Sequence, residues 1–124
     1  MSHVGKSKIL FVDDEEVICS MAAEFLEMQG FIVDTYEDSR EAFDAFCRDP
    51  DDFDIVITDQ VMPKMTGIEL LKNIIGIRSA IPRILCTGFS EELNHKDEKE
   101  VGIDAFFMKP YRFDDLIGQI KKLV

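Results

Sequence analysis

Cysteine and histidine are scarce in this chain, and basic residues are outnumbered. Its three cysteines, Cys19, Cys47 and Cys86, are odd in number, sit in apolar contexts and lack metal-ligand spacing. That pattern excludes a disulfide framework and a zinc site, and it fits reduced thiols in a cytosolic protein. The two histidines, His3 and His95, lie in polar surroundings without partners and receive no role. With 14 basic against 25 acidic residues the formal net charge is -11. Direct binding to nucleic acid or an anionic membrane needs the opposite sign, so a DNA-reading role would require another domain. The start, Met1 to Lys8, leads into only four consecutive apolar residues, too few for a signal-peptide core. No stretch approaches the roughly 20 residues of a membrane span. Repeats, low-complexity tracts and interdomain linkers are also missing, and 124 residues suit one compact domain. The expectation is a soluble, cytoplasmic protein with a short tail over 1–7 and one domain over 8–124.

What the chain does have is a set of short apolar runs that end in reactive residues. Lys8-Ile9-Leu10-Phe11-Val12 leads into Asp13-Asp14, Asp54-Ile55-Val56-Ile57-Thr58 into Asp59, Arg83-Ile84-Leu85-Cys86 into Thr87, and Ala105-Phe106-Phe107-Met108 into Lys109-Pro110. With a further run at 31–36 they are nearly continuous rather than alternating, as in strands buried on both faces. Between them lie helical periods. Val17, Ile18, Met21, Ala22, Phe25 and Leu26 form one wide apolar stripe, stopped by Gly30. Ser39 is the predicted N-cap of a helix burying Ala42, Phe43 and Phe46, with Pro50 ending it. Ile68, Leu71, Ile74 and Ile75 mark another helix, and Leu116, Ile117, Ile120, Leu123 and Val124 the last. Ser90 to Val101 is polar nearly all round, with Leu93 and Val101 its large apolar residues, and is predicted to be the most mobile helix. Its acids Glu91, Glu92, Asp97, Glu98 and Glu100 read as a solvated face.

Strand alternating with helix five times argues for a five-stranded parallel sheet covered on both faces, doubly wound by right-handed crossovers. In such a sheet the carboxyl ends of the strands share one edge, where ligands bind. Asp13, Asp14 and Asp59 would meet there and repel: two unit charges at 4 Å interact by about 4 kcal/mol at an effective dielectric near 20. Lys109 supplies one compensating charge and a divalent cation the rest. All-oxygen ligation without His or thiolate favours Mg²⁺, with Mn²⁺ as an alternative. A carboxylate beside such cations can attack phosphorus, because they offset the repulsion between nucleophile and phosphoryl oxygens. Asp59 stands alone at its strand end and is the better nucleophile candidate. The adjacent pair reads as metal-holding, Asp14 directly and Asp13 through water.

Taken in order, Phe11-Val12-Asp13-Asp14-Glu15, Asp59-Gln60-Val61-Met62-Pro63-Lys64-Met65-Thr66-Gly67, Thr87-Gly88 and Lys109-Pro110 resemble the receiver domain of two-component response regulators, from about Lys8 to Val124. The resemblance implies a flavodoxin-like (βα)5 fold with strand order 2-1-3-4-5. It implies that Asp59 accepts a phosphoryl group from a phosphohistidine on a histidine kinase or histidine phosphotransfer domain. Asp14, Asp59 and the Val61 carbonyl would bind Mg²⁺, Lys109 would contact the phosphate, and the bond before Pro110 would be cis. The Thr87 hydroxyl can donate to a phosphoryl oxygen, contributing about 1.5–3 kcal/mol. Swinging a two-state equilibrium from 1:99 to 99:1 needs about 5.5 kcal/mol, so inward rotation of Phe106, matching the family's switch aromatic, would add to it. Val61 and Phe89 are apolar where many relatives carry polar groups, which predicts a lengthened phosphoryl lifetime.

The stretches Leu85 to Ser90 and Gly102 to Pro110 look most like receivers joined to hybrid sensor histidine kinases, though free-standing regulators resemble them too. A linked kinase or output domain, and a phosphorylation-dependent homodimer, stay open. No kinase motif is present, so the residues themselves are not an ATP-using enzyme. A flavodoxin-like cofactor binder would want backbone donors where Asp13-Asp14-Glu15-Glu16 stands. A haloacid-dehalogenase-like phosphatase needs a second Asp two positions after its nucleophile, which neither Asp13 nor Asp59 has. A phosphorylation-independent interaction module remains the third reading, although it has no need of Asp59, Thr87 and Lys109 together.

Overall fold

The computed structural model describes residues 6–88 and 99–124. Five strands, β1 (Lys8–Val12), β2 (Ile32–Tyr36), β3 (Ile55–Asp59), β4 (Arg83–Thr87) and β5 (Ala105–Met108), form one parallel sheet in the order β2-β1-β3-β4-β5. Four described helices, α1 (Glu16–Met28), α2 (Ser39–Arg48), α3 (Gly67–Ile75) and α4 (Phe113–Leu123), cover it. Each of the predicted strands is present within a residue at either end. The helix expected between Ser90 and Val101, and with it Phe89, His95 and four of the five acids there, lies outside the described residues except at its end. Residues 99–101 are helical, and Glu100 is exposed and pairs with Lys72 at 3.4 Å. His3 also lies outside them.

Because strand side chains alternate in direction, β1 feeds two cores. Leu10 and Val12 join Phe46, Val56, Leu71, Ile74 and Leu85 under α2 and α3. Ile9 and Phe11 join Ala22, Leu26, Ile57, Ile84, Leu116 and Ile120 under α1 and α4. Each fully buried Leu, Ile or Phe contributes about 1.5–3 kcal/mol relative to exposure. β1, β3 and most of β4 are buried on both faces, as the continuous runs predicted, whereas the sheet edges differ. β2 is half-buried throughout and β5 alternates between half-buried and exposed, since an edge strand has a neighbour on one side only.

Two local expectations are corrected. The α1 stripe is too wide for the surface beneath it: Cys19, Ala22 and Leu26 are buried, while Val17, Met21 and Phe25 are 68%, 39% and 40% exposed. The N-cap of α2 is Asp38, whose carboxylate accepts from the Arg40 and Glu41 amides, and Ser39 is the buried first helical residue. The α1 stop is as predicted. Gly30 takes φ 92, its amide donates to the Glu27 carbonyl and the Phe31 amide to that of Leu26, the paired bonds of a Schellman end.

Buried Arg83 ties the far edge of the sheet together. Its guanidinium donates to the carbonyls of Ser79, Ile81 and Val101, while Asp104 accepts from its amide at 2.9 Å. No described helix is long and apolar enough to cross a membrane.

Candidate functional site

Strand register alone gathers the expected residues. Val12 pairs with Thr58, Asp59 with Cys86 and Thr87 with Met108, so Asp13, Asp59, Thr87 and Lys109 all fall at the carboxyl edge. The Lys109 amide donates to the Thr87 carbonyl at 2.8 Å, and the Lys109–Pro110 bond is cis.

The segment after Asp59 is held by α3. The Gln60 side chain accepts from the Ile68 amide at 2.8 Å, and its backbone carbonyl accepts from the Gly67 amide at 2.9 Å. Thr66 and Glu69 form a capping box at the helix start, satisfying amides that would otherwise be orphaned. Gly67 sits so close to β3 that a Cβ there would lie 2.2 Å from the Asp59 carbonyl oxygen. Lys64 takes φ 70, the left-handed region, and its ammonium pairs with Asp38 at 2.7 Å, joining this loop to the start of α2. Val61, directly after Gln60, is 56% exposed.

Asp13, Asp14 and Asp59 present carboxylate oxygens all within 4.8 Å of one another, two of the residues buried and Asp14 exposed. The Lys109 ammonium stands 2.8 Å from Asp13 Oδ2, 3.0 Å from Glu15 Oε2 and 3.3 Å from Asp59 Oδ2. Burial pulls the Lys109 pKa down, but its hydrogen bonds to Asp13 and Glu15 and the nearby Asp13 and Asp59 charges outweigh it, and the net shift is upward. The lysine is a fixed cation. Burial pushes the Asp13 carboxyl up, against the opposing pull of Lys109 and the Glu15 amide. Asp13, Asp14 and Asp59 therefore crowd around one half-buried cation, and a second positive group would offset the repulsion that remains.

The donor set fits a hard divalent ion. Asp13, Asp14 and Asp59 offer only oxygen donors, and Mg²⁺, which binds through one or two carboxylates and keeps several waters, would suit such a set. Burial pushes the nearby Cys86 thiol up to about 12 and the Cys19 thiol up to about 11, as for inert core thiols. On β5, Phe106 points outward, 48% exposed, while Phe107 packs inward beside Tyr111.

Two residues that sequence reasoning passed over belong here. Glu15 was read as part of an acidic run, yet its carboxylate reaches Lys109, 94 positions away. Gly67 stands in the sequence only as the last residue of the Asp59 motif, and its position against Asp59 is a packing requirement. Glu15, Ile18, Met21, Lys109, Pro110 and Tyr111, with Phe113, line a cavity of about 410 Å³ beside the acids.

The comparisons with known proteins agree with this geometry. A family profile described as response regulator receiver domain matches residues 9–121. The transcriptional regulatory protein CpxR of Escherichia coli (strain K12) is 33% identical over 118 residues, 95% of this chain and 49% of the relative. The chain thus spans about half the length of that curated relative. A response regulator receiver domain protein from Clostridium thermocellum has a crystal structure with TM-score 0.87 and 32% identity, covering 94% of this chain and 93% of that one. The response regulator protein TrrA from Thermotoga maritima, in complex with Mg²⁺ and BeF, gives 0.84 and 31%, covering 95% and 99%. Receiver domains accept phosphoryl groups, bind Mg²⁺ at an acidic pocket and work with histidine kinases or phosphotransfer proteins. Since the profile match runs through every strand and helix that builds the acidic edge, the chain belongs to the response regulator receiver domain family.

Proposed function

We propose that residues 8–124 form a receiver in which Asp59 takes a phosphoryl group from a phosphohistidine, in a cytoplasmic two-component or phosphorelay pathway. The single observation that carries this reading is the meeting of Asp13, Asp14 and Asp59 within 4.8 Å of one another, with the Lys109 ammonium against two of them. An Asp59 oxygen attacks phosphorus as the bond to the imidazole nitrogen breaks, its electron pair returning to the ring. Lys109 neutralises the equatorial oxygens, and the Thr87 hydroxyl donates to one of them. Asp14, Asp59 and the Val61 carbonyl, with Asp13 through water, would hold Mg²⁺ or Mn²⁺, and the bound ion would supply charge neutralisation.

Signalling follows from Thr87 moving toward the phosphoryl group and Phe106 leaving its exposed position. The exposed apolar residues of α1, Val17, Met21 and Phe25, of which Met21 lines the cavity at Lys109, offer a partner kinase or phosphotransfer domain an approach to Asp59. A phosphorylation-dependent homodimer is the corresponding proposal for the output. Val61, exposed and apolar, limits water positioning at the phosphoryl bond, and Phe89, outside the described residues, is proposed to do the same. Val61→Asn and Phe89→Glu should speed dephosphorylation, and unchanged rates would remove that idea.

For the parent protein, a hybrid sensor histidine kinase is the preferred reading on the sequence resemblance. A regulator with an output domain, as the Escherichia coli relative is a transcriptional regulatory protein, and a free-standing receiver are the alternatives, distinguished by the mass of the native polypeptide. The central test is NMR with Mg²⁺ and beryllofluoride, a phosphoryl analogue. Shifts at Thr87, Phe106 and Lys109 that vanish in Asp59→Asn are expected. An unresponsive Thr87 and Phe106 would overturn the switch.

A further inference from the structure

The Lys109 ammonium has three protons to donate and three carboxylate oxygens within 3.3 Å, from Asp13, Glu15 and Asp59. Its donors are matched before any phosphoryl oxygen arrives. One of the three partners must yield for Lys109 to reach a phosphoryl group, and they are not equivalent. The Asp13 and Asp59 side chains are 2% and 6% exposed, whereas that of Glu15 is 61% exposed. Solvent can replace the lysine at Glu15 and cannot do so easily at the buried acids.

Glu15 is also free of the task its position suggests. It occupies the N-cap of α1, yet its side chain makes no capping hydrogen bond. The Glu15 amide is satisfied by Asp13 Oδ1 at 2.9 Å. The carboxylate instead leans across the mouth of the cavity to Lys109. A side chain at a helix start usually gains from the amides there, so one that bridges to a lysine from the opposite end of the chain is engaged in something else.

From this geometry we infer that Glu15 is a positioning residue, which holds Lys109 in a resting orientation and surrenders it when Asp59 is phosphorylated. The inference rests on Asp59 being the phosphoacceptor. Glu15 touches neither phosphorus nor metal; it acts through the lysine, as a competitor for the ammonium that speeds phosphoryl transfer. Removing its charge should leave Lys109 less committed and the transfer faster.

The test compares wild type with Glu15→Gln, which keeps size and removes charge at an exposed position. Phosphorylation by Mg²⁺ and a small phosphoryl donor is followed by intact mass, in wild-type and Lys109→Ala backgrounds. Glu15→Gln is expected to raise the rate about two- to fivefold with Lys109 present, the range an exposed ion pair can supply, and to leave it unchanged in Lys109→Ala. An equal acceleration in both backgrounds would mean simple repulsion of the anionic donor, and would overturn the inference. The second readout needs no phosphorylation: the Lys109 Cε and Nζ resonances should move in Glu15→Gln, and unmoved resonances contradict the resting ion pair. Normal labelling of Asp59 with an unaltered Glu15→Gln rate defeats this inference alone. An unlabelled wild-type Asp59 defeats the proposed function and this inference with it.

Discussion

Gly67→Ala adds one methyl group at the place where the fold has least room for it. The new Cβ would lie 2.2 Å from the Asp59 carbonyl oxygen, 3.0 Å from its carbonyl carbon and 2.9 Å from Leu85 Cδ1. Leu85 can turn, but the Asp59 backbone cannot, because the Gln60 amide next to it is bonded to the Cys86 carbonyl and β3 lies between β1 and β4. Nor can α3 retreat without breaking the Gly67 and Ile68 bonds to Gln60. Overpacking a tight site costs typically about 1–3 kcal/mol, and a contact this short belongs at the upper end. At roughly 4 °C per kcal/mol for a domain of this size, the melting temperature should fall by about 8–12 °C. Mg²⁺ affinity measured by calorimetry should fall too, since the strain is delivered to Asp59. Gly118→Ala is the control. It places the same methyl in α4 with nothing within 4 Å, where replacing helical glycine should stabilise by about 0.5–1 kcal/mol. A Gly67→Ala protein melting within about 2 °C of wild type would show that α3 does not press on Asp59 as described.

Arg83→Met should destabilise by about 3 kcal/mol, because the carbonyls of Ser79, Ile81 and Val101 lose a charged donor inside the fold; urea unfolding with an unshifted midpoint would refute this. Lys64, through its hydrogen bond, holds the Asp38 carboxyl below its ordinary 3.8 despite some desolvation, helped by the Arg40 and Glu41 amides. The folded state therefore prefers the ionised form, and this contribution is present above the unfolded pKa and lost as pH falls through the lower folded value. Asp38→Asn should accordingly lower the melting temperature near neutral pH and narrow its difference from wild type as the pH falls below the ordinary 3.8 and through the lower folded value, and a difference that grows on acidification would contradict the sign. Saturating Mg²⁺ should raise the wild-type melting temperature, by about 2.7 kcal/mol worth of stability at a hundredfold excess over Kd. Asp14→Asn should lose most of that gain while melting no lower than wild type in chelator, since it relieves repulsion; an undiminished Mg²⁺ effect would remove Asp14 from the metal site.

The strands were legible because their chemistry is local. A short run such as Ile55-Val56-Ile57 is too brief for a helix and too apolar for a surface, and it reads as buried strand wherever it occurs. The carboxyl-edge residues were legible for the same reason, since a parallel sheet brings the strand ends together whatever the helices do. Other features were set by tertiary contacts that no local pattern carries. Periodicity revealed that α1 is apolar but not that Val17 and Met21 lie beyond the reach of the sheet. Two adjacent residues able to cap, Asp38 and Ser39, compete for one place, and Asp38 takes it by accepting from the Arg40 and Glu41 amides while its other oxygen pairs with Lys64. Arg83 looked like a charge at a strand start, and only the fold shows that it is buried among carbonyls. The role of Glu15 depends on a partner at the other end of the chain, and that of Gly67 on the distance between a helix and a strand.

The account holds that crowded carboxylates at one sheet edge, compensated by Lys109 and Mg²⁺, make Asp59 able to carry phosphorus. Intact-mass analysis after incubation with Mg²⁺ and a small phosphoryl donor tests this directly. Wild type should gain the mass of one phosphoryl group, lost on removing Mg²⁺ with chelator beforehand and absent in Asp59→Asn. Equal labelling of wild type and Asp59→Asn, or none in wild type, would contradict it.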